Sequence, residues 1–300
     1  MTAKVILNPY SNRWNAQKRW AQAEIALREA GVDFELVVSE RPGHIAQLTH
    51  QALSDGFSPL IAAGGDGTLG EIVNALAHAS ADGALLTPLG ILPLGTANDL
   101  AYVLKIPLSL GEAARVISVG NIRRMDLGKA NDIYFANNSA LGLEPYVTVI
   151  QNRITWIKGI GRYLVSAIRA ILDKPAWNAH MEWDHGKFDG PVSLIYVGNG
   201  PRSGGVFYMA PRADPFDGKL TVVFGYRSTR RGMFALLPKA MRPDVGSYVE
   251  SRGMHEFPVS WLKVHLDQPS PAHADGEIFS AGITDLEYRI FPGRLQMLVP

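Results

Sequence analysis

Two glycine-rich turns, Gly64-Gly65-Asp66-Gly67-Thr68 and Pro93-Leu94-Gly95-Thr96-Ala97-Asn98-Asp99, are the residues of this chain best suited to chemistry. Each follows an apolar, strand-like run and leads into a helix-like one. Glycine has no Cβ, so its amide can approach an anion closely and can adopt φ > 0 where a turn needs it. A helix start directly afterwards adds N–H groups without intrahelical partners and a dipole that favours negative charge. Two such turns, one strand–helix unit apart, predict one phosphate-binding cleft built from both, and hence a phosphate-handling enzyme.

Each residue also has a plainer reading. Asp66 is unexpected in an anion-binding loop unless it binds a magnesium ion or orients the loop; otherwise Asp66 or Thr68 merely caps a helix. Glu71 and Asn74 fall on one helical face after Thr68, within reach of a ribose or simply solvated. Thr96, Asn98 and Asp99 repeat the short hydrogen-bonding chemistry of the first turn, although capping alone accounts for Asn98 or Asp99. Asn8-Pro9 follows the first strand and fits a third loop at the same sheet edge, with Ser11 and Ser39 facing the cleft or forming turns.

Two acidic constellations lie further on. Asp214-Pro215-Phe216-Asp217-Gly218-Lys219 places two carboxylates around a turn, the oxygen chemistry that Mg²⁺ or Ca²⁺ takes, or else an Asp-rich β-turn. Asp275-Gly276-Glu277 holds two carboxylates around a flexible residue, a candidate general base in a dipeptide context that also makes common turns. His265 and His273 show no metal spacing and read as surface or packing histidines.

The elements that position these residues follow from periodicity. Up to Arg124, strand-like runs (4–7, 34–38, 60–63, 90–94) alternate with helical patterns (14–30, 45–53, 68–78, 99–104, 109–119), as in a parallel α/β sheet. Beyond Met125 short alternating segments dominate: 133–136, 179–183, 192–197, 219–224, 261–266 and 286–290. They predict a mainly antiparallel β domain interrupted by one helix over about 154–172. That helix mixes Arg153, Trp156, Lys158, Arg162, Ile168 and Arg169, and either lies in a bilayer interface, admits a lipid chain, or covers the β domain. Arg230-Arg231-Gly232-Met233-Phe234 has the same ambiguity.

Composition bounds the rest. Three hundred residues, 47% hydrophobic and 19% charged, suit an ordinary folded chain with one or two cores. A net charge of +1 argues against bulk nucleic-acid binding. With no cysteine there is neither disulfide, thiolate metal site nor thiol nucleophile. The first apolar run is short for a secretory signal, and no stretch approaches the ~20 apolar residues of a membrane span. The expectation is a cytoplasmic protein, with peripheral contact at the inner membrane face and a homodimer both left open.

Taken in order, these motifs resemble the soluble diacylglycerol kinase and sphingosine kinase family, especially its bacterial lipid-kinase branch. Asn8-Pro9, the 64–68 turn with Glu71 and Asn74, and the 93–99 turn all fit. So do Met125-Asp126-Leu127-Gly128, Gly198-Asn199-Gly200, Gly204-Gly205, Ala210-Pro211, Asp217-Gly218 and Asp275-Gly276-Glu277. The resemblance implies an ATP-binding α/β domain over 1–125 with 288–300 returning to it, and a β-sandwich lipid domain over 126–287. It implies nucleotide contacts from the Asn8–Asn12 loop, Ser39, Gly65, Asp66, Gly67, Thr68, Leu69, Gly70, Glu71 and Thr96. It places the base on Glu277 first and Asp275 second, and magnesium on Asp214, Asp217 and the Lys219 carbonyl. Asp99 and Asp126 would join an acidic network toward the cleft. The chain departs from the pattern at Asn12, at Phe216 and at Leu143-Glu144-Pro145, the last unusual for a lipid-facing stretch. Two other readings stay open: a kinase of a soluble acceptor such as NAD, and a non-catalytic nucleotide or lipid sensor.

Overall fold

Strands β1 (Ala3–Leu7), β3 (Leu60–Gly64) and β4 (Leu89–Pro93) are buried at every position, as a parallel strand must be when helices cover both sheet faces. The computed structural model describes residues 2–80, 87–154, 156–157, 159–173, 175–242 and 247–300. The chain divides into two units, Met1–Asp126 with Gly293–Pro300, and Leu127–Pro292.

In the first unit β1 pairs in parallel with β2 (Phe34–Val38) on one side and β3 on the other, and β3 pairs with β4. The returning end of the last strand adds Met297 beside Leu89, also in parallel. Helix α1 (Ser11–Glu29) packs with α5 (Leu110–Val119), and α2 (His44–Ser54) with α3 (Asp66–Ala79). The short α4 (Asp99–Val103) follows β4. Every parallel strand therefore delivers its C-terminal end to a loop at one sheet edge, where ligands of such sheets bind.

The second unit is antiparallel throughout. Its strands are the end of β5 (Ile122–Ala130), β6 (Ile133–Phe135), β7 (Asn138–Gly142), β8 (Trp177–Trp183), β9 (Gly186–Val192), β10 (Leu194–Gly198), β11 (Leu220–Gly225), β12 (Met254–Val259), β13 (Trp261–Ala274) and most of β14 (Glu277–Leu298). Alternation sorts β10 between two cores. Ile195 and Val197 join Val222, Phe224, Leu262 and Tyr288 in the sandwich interior. Leu194 and Tyr196 face the other way, with Phe207, Tyr248 and helix α8 (Arg230–Met241). Helices α6 (Leu143–Arg153) and α7 (Gly159–Asp173) pack together and close that second face.

The expected fold class, α/β followed by a β-sandwich, is the one observed. Several elements differ from expectation. Helix α1 begins at Ser11 rather than Trp14, with Asn12 and Trp14 at φ 51° and 70° in its first turn. The helix expected over 154–172 is α7, and a second helix, α6, precedes it over 143–153, hidden in the sequence by Pro145. Proline is tolerated there because first-turn amides have no intrahelical partner to lose. The 192–197 run is two strands broken at Ser193. The runs 261–266 and 286–290 are pieces of the long β13 and β14, whose register shifts between His265 and His273 absorb Pro269 and Pro271.

Candidate functional site

In the first unit three segments converge: residues 8–12, the 64–68 turn and the 93–99 turn. Asn8 Nδ2 donates to Thr68 Oγ1 at 3.0 Å, and Ser11 Oγ lies 3.1 Å from the same oxygen. Thr96 Oγ1 donates to Asn12 Oδ1 at 3.1 Å, joining the second glycine turn to the loop after β1. Asp66 Oδ1 accepts the N–H of Leu100 at 3.2 Å, so the first turn caps the helix that follows the second. Arg19 Nη1 reaches the Pro93 carbonyl at 3.4 Å, a tie that sequence reasoning missed.

The glycines are required by close approach, not by backbone angle: Gly64, Gly65 and Gly95 are absent from the positive-φ residues, and Gly65 is extended at φ −111°. A Cβ on Gly95 would stand 2.3 Å from Gly65 Cα and 2.7 Å from Asn98 Oδ1; one on Gly64 would stand 2.3 Å from Thr68 Oγ1. The two turns thus touch backbone to backbone, as expected. Ahead of the first bond of α3, from Leu69 N to Gly65 O at 3.1 Å, lie the amides of Gly67 and Thr68 at an anion-favouring helix start.

Other expected contacts resolve into shaping roles. Asn98, at φ 49°, accepts from Gly95 N at 3.0 Å and donates to Gly95 O at 3.1 Å, so its amide closes the turn. Leu69 and Gly70 are buried on the inner face of α3, which keeps the Leu69 side chain from any ligand at the loop. Asn74 donates back to Gly70 O at 3.1 Å. Glu71 is half-buried one turn into α3. Buried Ser39 donates its amide to Leu7 O at 2.8 Å and its hydroxyl to Arg41 O at 3.4 Å. Asp99 is buried at the start of α4, and Asp126 Oδ1 accepts from Gly293 N at 2.7 Å.

In the second unit Asp275-Gly276 is a two-residue hairpin turn between β13 and β14, with Ala274 opposite Glu277 and φ values of 48° and 84°. The two carboxylates separate sharply. Asp275 is buried: Oδ2 accepts from Ala136 N at 2.8 Å, and Oδ1 accepts from Asn137 N and Asn138 N at 2.8 and 3.0 Å. Burial pushes its carboxyl above the usual range, with those three amides opposing. Glu277 is exposed. The Asn-rich segment is itself pinned, Asn199 Nδ2 donating to Ala136 O at 2.7 Å and the amides of Asn199 and Gly200 to Asn137 O at 2.8 Å. Both Asp275 oxygens hold backbone amides, whereas the Glu277 carboxylate is exposed.

Asp214 and Asp217 are exposed on one turn. Asp214 Oδ1 accepts from Phe216 N at 3.1 Å, and Asp217 Oδ1 from Lys219 N at 2.8 Å; Lys219 Nζ donates to Ser260 Oγ at 2.6 Å. Among the described residues no group of three His, Cys, Asp or Glu could hold a metal ion. Two carboxylates and a nearby carbonyl are the donor set of a hard cation that keeps most of its water, which fits Mg²⁺.

An apolar cavity opens in the same unit. Its walls include Val147, Ala167, Ile171, Leu194, Phe207 and Leu236. Arg227, whose buried Nε has no hydrogen-bond partner, and buried Glu144 interrupt the hydrocarbon. Sequence reasoning passed over Glu144; its one signal was an acid where a lipid-facing stretch was expected. His273, expected at the surface or in packing, is fully buried and bonded through Nε2 to Glu144 Oε2. Helix α7 turns Ser166, Ala167, Ala170 and Ile171 inward, so it covers the sandwich. It also leaves Val165, Ile168 and Leu172 exposed, with Trp156 just before it. Lys158, from the same basic series, lies outside the described residues.

A parallel α/β unit ending in paired glycine turns, followed by an antiparallel sandwich carrying an acidic hairpin, defines a two-unit phosphotransferase. Residues 2–130 match the diacylglycerol kinase catalytic domain, and residues 138–299 the YegS C-terminal NAD kinase beta sandwich-like domain. The chain belongs to this diacylglycerol kinase and YegS-like family of bacterial lipid kinases, and its catalytic domain is that of an ATP-using kinase. Diacylglycerol kinases from Staphylococcus aureus strains bovine RF122 / ET3-1 and MRSA252 are each 29% identical over 243 residues, 81% of this chain and 76% of theirs. The crystal structure of a diacylglycerol kinase from Bacillus anthracis str. Sterne has a TM-score of 0.74 at 19% identity. A second structure from that strain reaches 0.81 at 22%; each comparison covers 100% of this chain and 97% of the other, and shows the common fold.

Proposed function

We propose that this kinase transfers the γ-phosphate of ATP to the hydroxyl of a membrane lipid of the diacylglycerol class. The observation that carries this reading is the cavity of the second unit: hydrocarbon walls on α6, α7 and α8 suit acyl chains and offer little to a charged dinucleotide, which weakens the soluble-acceptor alternative. Arg227, with its unpartnered Nε, supplies a donor for an acyl ester carbonyl. The staphylococcal relatives, named diacylglycerol kinases, point to the same acceptor class.

In this reading the first unit is the nucleotide domain, its returning segment beginning at Gly293 rather than at the expected residue 288, and the second unit is the lipid domain. The amides of Gly65, Gly67, Thr68 and Thr96 cradle phosphates, with Gly95 allowing the close approach of the two turns and Asn8, Ser11 and Asp66 in support. Glu277 accepts the hydroxyl proton as the lipid oxygen attacks the γ-phosphorus in line. The bond to the ADP oxygen breaks, giving ADP and the lipid phosphate. Asp275 holds the turn that carries Glu277. Asp214, Asp217 and the Lys219 carbonyl would hold Mg²⁺, which when bound offsets phosphate charge.

Among the described residues no helix is long and apolar enough to cross a membrane. Lipid then reaches the cavity from a bilayer surface, against which Trp156, Val165, Ile168 and Leu172 lie while Arg153 and Arg169 meet anionic headgroups. The deciding experiment offers Mg²⁺–ATP and mixed micelles containing diacylglycerol, a phospholipid or a long-chain base, with NAD as the soluble control. Phosphorylation of a lipid and loss of it in Glu277→Ala are expected. Phosphorylation of NAD alone would refute the lipid acceptor, and an active Glu277→Ala would refute the base.

A further inference from the structure

One buried acid–base pair of the second unit has no part in the mechanism above. His273 and Glu144 are almost wholly inaccessible, so their hydrogen bonds fix how each is oriented. The Gly276 N–H can only donate, and it points at His273 Nδ1 at 3.3 Å. Nδ1 therefore accepts, the ring proton resides on Nε2, and it is given to Glu144 Oε2. Glu144 Oε1 accepts from the hydroxyls of Ser203 at 2.9 Å and Tyr163 at 3.3 Å. Glu144 thus has three hydrogen-bonding neighbours, His273, Ser203 and Tyr163, on the wall of an apolar cavity. A buried acid on a hydrocarbon wall does little for stability, which directs attention to use.

The same bonds run in sequence from cavity to turn: Glu144 faces the cavity, His273 holds Glu144, and Gly276 is held by His273. Gly276 immediately precedes Glu277.

We propose that Glu144 and His273 form a positioning pair that couples the lipid cavity to the turn carrying Glu277. Glu144 stands on the cavity wall where the polar end of the lipid is seated, and the imidazole holds the Gly276 amide so that Glu277 stays in register. This rests on the lipid-kinase reading and deepens it: filling of the lipid cavity and the register of Glu277 are linked through one imidazole.

Two isosteres separate the two halves of the pair. Asn at 273 places its oxygen near the Nδ1 position but falls short of Glu144, whereas Gln reaches toward Glu144 and abandons Gly276. With the acceptor phosphorylated fastest among diacylglycerol, a phospholipid and a long-chain base, His273→Asn is expected to raise the lipid KM while keeping kcat within about twofold. His273→Gln is expected to lower kcat about tenfold or more, the size of one lost positioning hydrogen bond. Glu144→Gln and the milder Tyr163→Phe should raise the lipid KM and leave the ATP KM unchanged. Equal kcat losses in both His273 variants would overturn the coupling. So would an unchanged lipid KM in Glu144→Gln and Tyr163→Phe, which decides the matter even if the His273 variants do not fold. Glu277→Ala in the same assay tests the base separately, since its activity does not depend on how the His273 variants divide.

Discussion

Asp66 and Leu100 are 34 residues apart, yet the Asp66 carboxylate accepts the Leu100 amide at 3.2 Å and so ties the first glycine turn to the helix after the second. An acid in a loop built for anions has its explanation here: it secures the geometry of both turns. Asp66→Ala removes a cap and is expected to cost about 1 kcal/mol of stability. Turnover should fall at least about a hundredfold because the phosphate donors lose their register. Asp66→Asn keeps an oxygen for Leu100 and should recover the stability; the rate deficit that remains then measures the charge. Urea unfolding beside kcat/KM for ATP checks both, and an Asp66→Ala protein of parental stability would contradict the capping role.

Contact between Gly65 and Gly95 makes a sharper prediction. A methyl group at 95 would meet backbone at 2.3 Å, and backbone cannot swing aside as a side chain can. Gly95→Ala should destabilise by about 1–3 kcal/mol and abolish ATP binding. Gly111, in α5, has open space around its Cβ position, so Gly111→Ala should be neutral or stabilising by about 0.5–1 kcal/mol. Denaturation midpoints of the two proteins, measured together, check the contrast.

The acidic hairpin predicts opposite phenotypes for its two carboxylates. Asp275→Asn turns an NH₂ group toward backbone donors and leaves at least one buried N–H unpaired, at a cost of about 1–3 kcal/mol. Glu277→Gln lies on the surface and should leave stability within about 0.5 kcal/mol while abolishing turnover. Thermal unfolding with initial rates distinguishes them; a stable, inactive Asp275→Asn would return the base to Asp275.

Asp214 and Asp217 each support their own turn through one oxygen. Alanine at either position should shift the Mg²⁺ concentration giving half-maximal rate upward by about tenfold, the effect of one lost carboxylate ligand. A magnesium titration unchanged in both variants would remove this turn from the metal site.

The sequence was most legible where local chemistry and topology agree. Every parallel strand ends in a loop with its own signature, so Asn8, the 64–68 turn and the 93–99 turn mark one sheet edge in the sequence itself. Proline and glycine misled where tertiary pairing overrides them. Pro145 concealed the first turn of α6, and Pro269, Pro271 and Gly282 cut β13 and β14 into apparent short strands although bulges carry the pairing through. The Glu144–His273 pair was not legible because its partners are 129 residues apart and neither carries a local motif. The family resemblance implies nucleotide contacts at Leu69 and Gly70, and the structure buries both in α3.

His180 gives a titration with a definite sign. Hydrogen bonds to Asp189 at 2.7 Å and Asp267 at 3.0 Å hold its imidazole charged and raise its pKa above the ordinary 6.5, against a smaller opposing effect of burial. A group whose pKa is raised on folding contributes stability that is complete below its unfolded value and disappears as pH rises through its folded one. The urea midpoint should therefore decline from about pH 6.5 upward, and the Hε1 resonance of His180 should titrate above 6.5 by NMR. Asp189→Asn removes the larger of the two contributions, so it should lower the His180 midpoint and flatten that decline. A His180 resonance titrating at or below 6.5 in the parent would show that the two aspartates do not hold the charged ring.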